Sequence, residues 1–256
     1  MKIRAVLTDL DGTLLEPDTT VHPDVPQVLA RLAALGVPLC PVTSKTPGEI
    51  EMIVRGLGMT GLAGFENGAG IRHASGSLTL GTAAVLTAEL GRVLTALKTR
   101  TRVRIRSFQD LSDQQLAAIT GLLQEGLEAA RQRVATMPLV VDPAHDETLR
   151  AALPADPPVR VVRGNLFLHL QGRHDKADVV PLLLAALESH EGVTVACGDA
   201  PNDVGLLAAA DIQVIVPSTK GPHPVLLERF PTAMVAPAPN GRGWAAAIIA
   251  LLGTKP

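Results

Sequence analysis

An apolar run from Ile3 to Leu7 ends in Asp9-Leu10-Asp11-Gly12-Thr13, two acids spaced two apart and then a glycine. On a β-strand that spacing aims both carboxylates the same way. A break at Gly12 puts them at the carboxyl end of the strand, where open α/β sheets place their ligands. Asp-Gly is also ordinary turn chemistry, so the pattern gains force only from its repetition. Far downstream, Val193-Thr194-Val195-Ala196-Cys197 runs into Gly198-Asp199-Ala200-Pro201-Asn202-Asp203. Two acid-tipped strands lying side by side would share a cation.

A hard divalent ion such as Mg²⁺ takes carboxylate and water oxygens and commonly bridges a protein to a phosphate. Asp9, Asp199 and Asp203 would supply ligands of that kind. Between them lies Val42-Thr43-Ser44-Lys45-Thr46, a third strand ending in hydroxyls, and Asp175-Lys176 later opens an apolar helical pattern. Thr46-Pro47-Gly48-Glu49 reads as a capping box with proline at the first helical position. That accounts for Thr46 and leaves Thr43 and Ser44 for a phosphate.

In their order, DLDGT, the hydroxyls of VTSKT, Lys176 and GDAPND resemble the four motifs of the haloacid dehalogenase-like phosphohydrolases. The resemblance implies Asp9 as nucleophile and Asp11 as general acid and base. It also implies Ser44, or Thr43 with a one-residue shift, and Lys176 as phosphate ligands. The metal acids are expected among Asp9, Asp11, Asp199 and Asp203, with Asn202 and Lys45 beside the substrate and Mg²⁺ as cofactor. A carboxylate that accepts a phosphoryl group divides one hard step into two easier ones. Asp11 has the opposite requirement, to hold a proton near neutral pH.

Alternating pattern elements give the frame. Val25 to Leu35 has helical spacing and stops at Gly36, and Val37 to Val42 reads as a buried strand. After Lys176 the order returns: helix to Leu187, strand Val193–Cys197, helix from Val204, strand from Ile212. The segment between differs in texture. Arg100, Arg102, Arg104 and Arg106 alternate with smaller residues, as on one face of a strand. Ser112 with Gln115 marks a helix broken near Gly121 and continuing to Arg133, followed by strands at Val159–Val162 and Leu166–Leu170. The expected fold is a Rossmann-like parallel α/β core, residues 1–81 and 173–256, with an α+β cap of the C2B type inserted at 82–172.

Gly64-Phe65-Glu66-Asn67-Gly68-Ala69-Gly70 lacks the spacing of a dinucleotide-binding turn. Its Glu66 and Asn67 match a turn before the cap in the large-cap subgroup and are candidates for a structural role or for substrate contact. Thr120-Gly121-Leu122, Glu128 to Arg133 and Gly241-Arg242-Gly243-Trp244 narrow the resemblance to the mannosyl-3-phosphoglycerate phosphatase family. This implies a small phosphorylated glycoside as substrate, with Arg131 and Arg133 suited to a carboxylate and His169 on the cap side. Met137-Pro138 and Leu166 depart from the family pattern. The glucosyl compound, a sucrose-phosphate-type substrate and a phosphosugar mutase therefore stay within the expected range.

Composition excludes other classes. A formal net charge of −2 gives no general attraction to nucleic acid, and 2% aromatic residues with no tyrosine leave few stacking surfaces. Cys40 and Cys197 sit in apolar strands as small buried side chains, and no uncharged apolar run is long enough to cross a bilayer. A cytoplasmic protein with no membrane partner is expected.

Overall fold

The computed structural model describes residues 2–164, 166–187 and 191–253. Its strands, in chain order, are β1 (Ile3–Thr8), β2 (Leu39–Pro41), β3 (Ala63–Phe65), β4 (Gly70–Arg72), β5 (Leu78–Leu80), β6 (Arg106–Ser107), β7 (Thr136–Val140), β8 (Val159–Arg163), β9 (Leu168–Gly172), β10 (Val193–Gly198), β11 (Ile212–Ile215) and β12 (Met234–Val235). Five of them form a parallel sheet in the order β12-β11-β10-β1-β2. Parallel sheets are covered on both faces, which is why β1 and β10 are apolar almost throughout. One face packs Val6, Leu10, Val195 and Val214 against the helices Val25–Ala34 and Asn240–Gly253. The other packs Leu7, Cys40, Ala196 and Ile215 against Val179, Leu183 and Leu206.

Register decides the site. Thr8 lies opposite Cys197 of β10 and Pro41 of β2, so the residues that follow on all three strands emerge together at one edge. The helix Pro47–Leu57 is capped as expected: the Thr46 hydroxyl accepts from the Glu49 amide at 3.1 Å, and the Glu49 carboxylate accepts from the Thr46 amide at 2.9 Å.

Over that edge lies the inserted layer, an antiparallel sheet ordered β6-β7-β9-β8. Its core includes Leu90, Val93, Leu94, Leu97, Leu139, Leu168 and Leu170. The first four come from the helix Thr87–Thr101, and that spacing overrides the alternating arginines. Arg100 is helical, Arg102 caps the helix in the left-handed region (φ 56°), and only Arg106 lies in a strand. The helical run expected from Ser112 to Arg133 is two helices, Asp113–Thr120 and Gln124–Arg131, because Gly121 at φ 72° ends the first. Lys176 opens a short 3-10 turn rather than an α-helix; the α-helix Val180–Ala186 starts after it, with Pro181 in its first turn.

Candidate active site

Three loops that follow β1, β2 and β10 meet beneath the inserted layer, around a cavity of 770 Å³. Asp9 is anchored where β1 ends, its amide donating to the Cys197 carbonyl at 3.0 Å. Lys176 reaches it from the turn after β9: the ammonium, almost wholly buried, donates to Asp9 Oδ1 and to Asp203 Oδ1, each at 2.7 Å. The second oxygen of Asp203 accepts from the amides of Asp199 and Ala200, at 3.0 and 3.1 Å. Asp199 in turn accepts from the Thr13 hydroxyl at 3.2 Å.

The electrostatics follow from this crowding. Burial, aided by the charges of Asp203 and Asp11 and opposed by Lys176, raises the Asp9 carboxyl to about 7. Burial together with Asp203 and Asp9 raises Asp199 to about 8. For Lys176 burial pulls downward, but Asp203 and Asp9 together outweigh it and hold the ammonium above the ordinary lysine range. Asp11 faces the same cavity and pairs with Lys45, Nζ to Oδ1 at 2.9 Å.

Asp9, Asp199 and Asp203 each offer a carboxylate oxygen within 4.8 Å of the others. An all-oxygen, mostly buried, acidic donor set fits a hard divalent ion such as Mg²⁺ and suits no soft metal. Asp11, expected among the metal acids, stands outside the cluster because its carboxylate is directed to Lys45.

Several expected substrate residues wall the cavity: Ser44, Lys45, Asn67, Arg133, His169 and Asn202. Others do not. Thr43 is buried, and its hydroxyl accepts from the Lys45 amide at 3.3 Å, bracing the loop that presents Ser44. Glu66 is buried, accepting from the amides of Val134 and Ala135 and the Thr136 hydroxyl at 2.7 to 2.9 Å, so it fastens the β3–β4 turn to the inserted layer. Arg131 turns inward to the carbonyls of Phe108 and Leu111 and to Asp113, which leaves it off the cavity wall. Arg133 does face the cavity, but it also braces the layers, donating to the Ser44 carbonyl at 2.7 Å and lying 5.7 Å over the Phe108 ring. His169 is buried, and its pKa falls to about 3 through burial and the nearby charges of Arg133, Arg163 and Lys176; it is a neutral imidazole.

Sequence reasoning missed one wall. Residues 218–224 line the cavity from the loop after β11, with Lys220 at a tight turn closed by Ser218 and Gly221. The rule applied to β1, β2 and β10 would have found them, since Ser218-Thr219-Lys220 follows another strand of the same parallel sheet. Phe108, Leu122 and Phe167 supply an apolar part of the wall.

Residues 6–112 match the haloacid dehalogenase-like hydrolase family. A curated relative from Persephonella marina, named glucosyl-3-phosphoglycerate/mannosyl-3-phosphoglycerate phosphatase, is 27% identical over 253 residues and covers 93% of each chain. A protein of the same name from Methanococcoides burtonii is 27% identical over 277 residues, covering 97% of each. Among solved structures, a haloacid dehalogenase-like hydrolase from Bacteroides thetaiotaomicron superposes with a TM-score of 0.76 at 20% identity, over 98% of this chain and 100% of that one. A subclass IIB sugar phosphatase of the same superfamily gives 0.72 at 17% identity, over 97% and 98%. The parallel sheet, the order of the loops it gathers and these likenesses give the chain the fold of the haloacid dehalogenase-like hydrolases, whose family model its residues 6–112 match.

Proposed function

We propose that the chain is a Mg²⁺-dependent phosphatase of glycosyl-3-phosphoglycerates, accepting the mannosyl and glucosyl compounds, and that it works through an aspartyl-phosphate on Asp9. The observation that carries this reading is the pairing of acids at the cavity floor. Asp9 is held by Lys176, and Asp11, on the next turn of chain, is held separately by Lys45. Both relatives bear names that specify this substrate class.

In the first step an Asp9 oxygen attacks phosphorus while the ester oxygen leaves and takes a proton from Asp11. In the second, Asp11 takes a proton from a water that attacks the same phosphorus, and phosphate departs with Asp9 restored. Charge spreads over the phosphoryl oxygens in both steps, and Lys176, Ser44 and the backbone amides after Asp9 stabilise it. When bound, Mg²⁺ supplies further positive charge there, held by Asp9, Asp199 and Asp203. Asn202, Lys45, Arg133, Asn67 and His169 meet the rest of the substrate. Residues 82–172 act as a cap that excludes water, with hinges near Gly81 and Gly172. The product would serve as a compatible solute in the cytoplasm; among the described residues no helix is long and apolar enough to cross a membrane.

The test is phosphate release with Mg²⁺ from mannosyl- and glucosyl-3-phosphoglycerate, sucrose 6-phosphate and mannose 1-phosphate, with Asp9→Asn as the blank and products identified. Release confined to the first two supports the reading. Preference for another phosphosugar overturns the substrate, phosphate migration without release overturns the reaction, and activity surviving Asp9→Asn overturns the mechanism.

A further inference from the structure

Three amide and carbonyl groups form a relay of fixed polarity between the inserted layer and the core. Gln171 of β9 is wholly buried; its Nε2 donates to the His174 carbonyl at 3.1 Å, and its Oε1 accepts from Asn67 Nδ2 at 3.1 Å. A backbone carbonyl can only accept, so the nitrogen of Gln171 must face His174 and its oxygen must face Asn67. Asn67 must then present its nitrogen to Gln171. That leaves Asn67 Oδ1, which is buried and has no partner. The backbone of Asn67 is fixed as well, at φ 60° with its amide donating to the Thr43 carbonyl at 2.9 Å.

An unpartnered buried acceptor is costly, and such atoms are rare in folded proteins. This one belongs to a residue that walls the 770 Å³ cavity and also a smaller cavity of 460 Å³ bounded by Gln171 and Lys176. A second orphan, His169 Nδ1, lies on the same strand two residues before Gln171, hence on the same face.

We propose that Gln171 is a positioning residue that locks the Asn67 amide so that its oxygen receives a hydrogen bond from a sugar hydroxyl of the substrate. The proposal rests on the phosphosugar reading above. An amide oxygen has nothing to offer a phosphate dianion or a carboxylate, which carry only acceptors, so Asn67 selects the glycosyl part and not the acidic part. Sequence alone makes Asn67 a candidate for substrate contact but does not say which end of its amide is free; Gln171 supplies that information.

The experiment uses Mg²⁺-loaded enzyme and the monodeoxy analogues of whichever phosphosugar the wild type hydrolyses, alongside p-nitrophenyl phosphate, which has no sugar. For the wild type, removing one particular hydroxyl should raise KM about tenfold, the size of one hydrogen bond. Gln171→Met should raise KM for the parent about tenfold, abolish its preference over that analogue, and leave KM for p-nitrophenyl phosphate unchanged. Asn67→Leu should likewise raise KM for the parent about tenfold and abolish its preference over that analogue, without depending on the Gln171 variant's folding. Any of these results overturns the proposal: a wild type indifferent to every deoxy position, a Gln171→Met enzyme with unaltered parent KM, an equal rise for p-nitrophenyl phosphate, or weakened Mg²⁺ affinity in the Asn67 variant. If glycosyl-3-phosphoglycerates are spared while another phosphosugar is hydrolysed, the substrate assignment falls and the deoxy series on that sugar still decides the role of Gln171. If no phosphosugar is hydrolysed, both fall.

Discussion

Lys176 carries the most strain of purpose at the level of single residues. Its ammonium is almost entirely out of water, which is tolerable only because two carboxylates receive it. Replacing it by Met leaves Asp9 and Asp203 buried without a cation. The expected result is a fall in kcat/KM of about 10²–10³, together with a loss of about 3–5 kcal/mol of stability in metal-free protein. Urea unfolding with and without Mg²⁺ checks the second part, and added Mg²⁺ should restore some of it. The acids at this site were legible in the sequence because each pair lies within a few residues and follows an apolar run. Their division of labour was not. That Asp203 spends both oxygens on Lys176 and two amides, and that Arg131 turns away from the cavity, depend on where the turn after β9 and the helix Gln124–Arg131 dock. No local pattern encodes docking.

At the scale of elements the β3–β4 turn is the joint between layers. Glu66, Asn67 and Gly68 all have positive φ, and a Cβ on Gly68 would run into the backbone of Asp175 and Lys176. Gly68→Ala should therefore displace the turn that delivers Lys176, costing about 1–3 kcal/mol in strained backbone and most of the activity. Gly36→Ala is the control: its φ is also positive, at 64°, but nothing lies within 4 Å of its added Cβ, so stability should fall while kcat stays unchanged. Thermal unfolding and turnover, measured on both, separate the two effects. Glu66→Gln removes a charged acceptor of three hydrogen bonds and should cost about 1.5–3 kcal/mol, read by urea unfolding, with activity falling only as the layers loosen. The parallel strands and the Thr46 cap could be read from short patterns because propensity and burial agree there. The arginine run failed because its period-two spacing overlaps the end of a helix whose leucines lie further upstream.

Acidity acts on the molecule as a whole. With Asp9 raised to about 7 and Asp199 to about 8, metal-free protein holds protons at the site near neutrality, and a metal must displace them. Apparent Mg²⁺ affinity should climb as pH rises from 6 to 8, with proton release on binding; calorimetry in buffers of different ionisation enthalpy measures both. His169 acts instead on stability, and at lower pH. Its folded value of about 3 lies below the unfolded 6.5, so between these the unfolded chain binds a proton that the folded chain refuses. The stability is fully present above about 6.5 and is lost as pH falls, at up to about 1.4 kcal/mol per unit; His169→Gln should flatten that slope in denaturation at pH 4 to 7.

The central pairing of β1 with β10 also has a consequence in time. Asp9 and Lys176 are 167 residues apart in the chain, and β10 follows later still. Ribosomes add roughly 5–20 residues per second, so about ten to thirty seconds pass between synthesis of the proposed nucleophile and of the lysine that holds it. Throughout that interval the nascent chain carries Asp9 without Lys176, Asp199 or Asp203. The constellation comes into being only once Asp203 has been made.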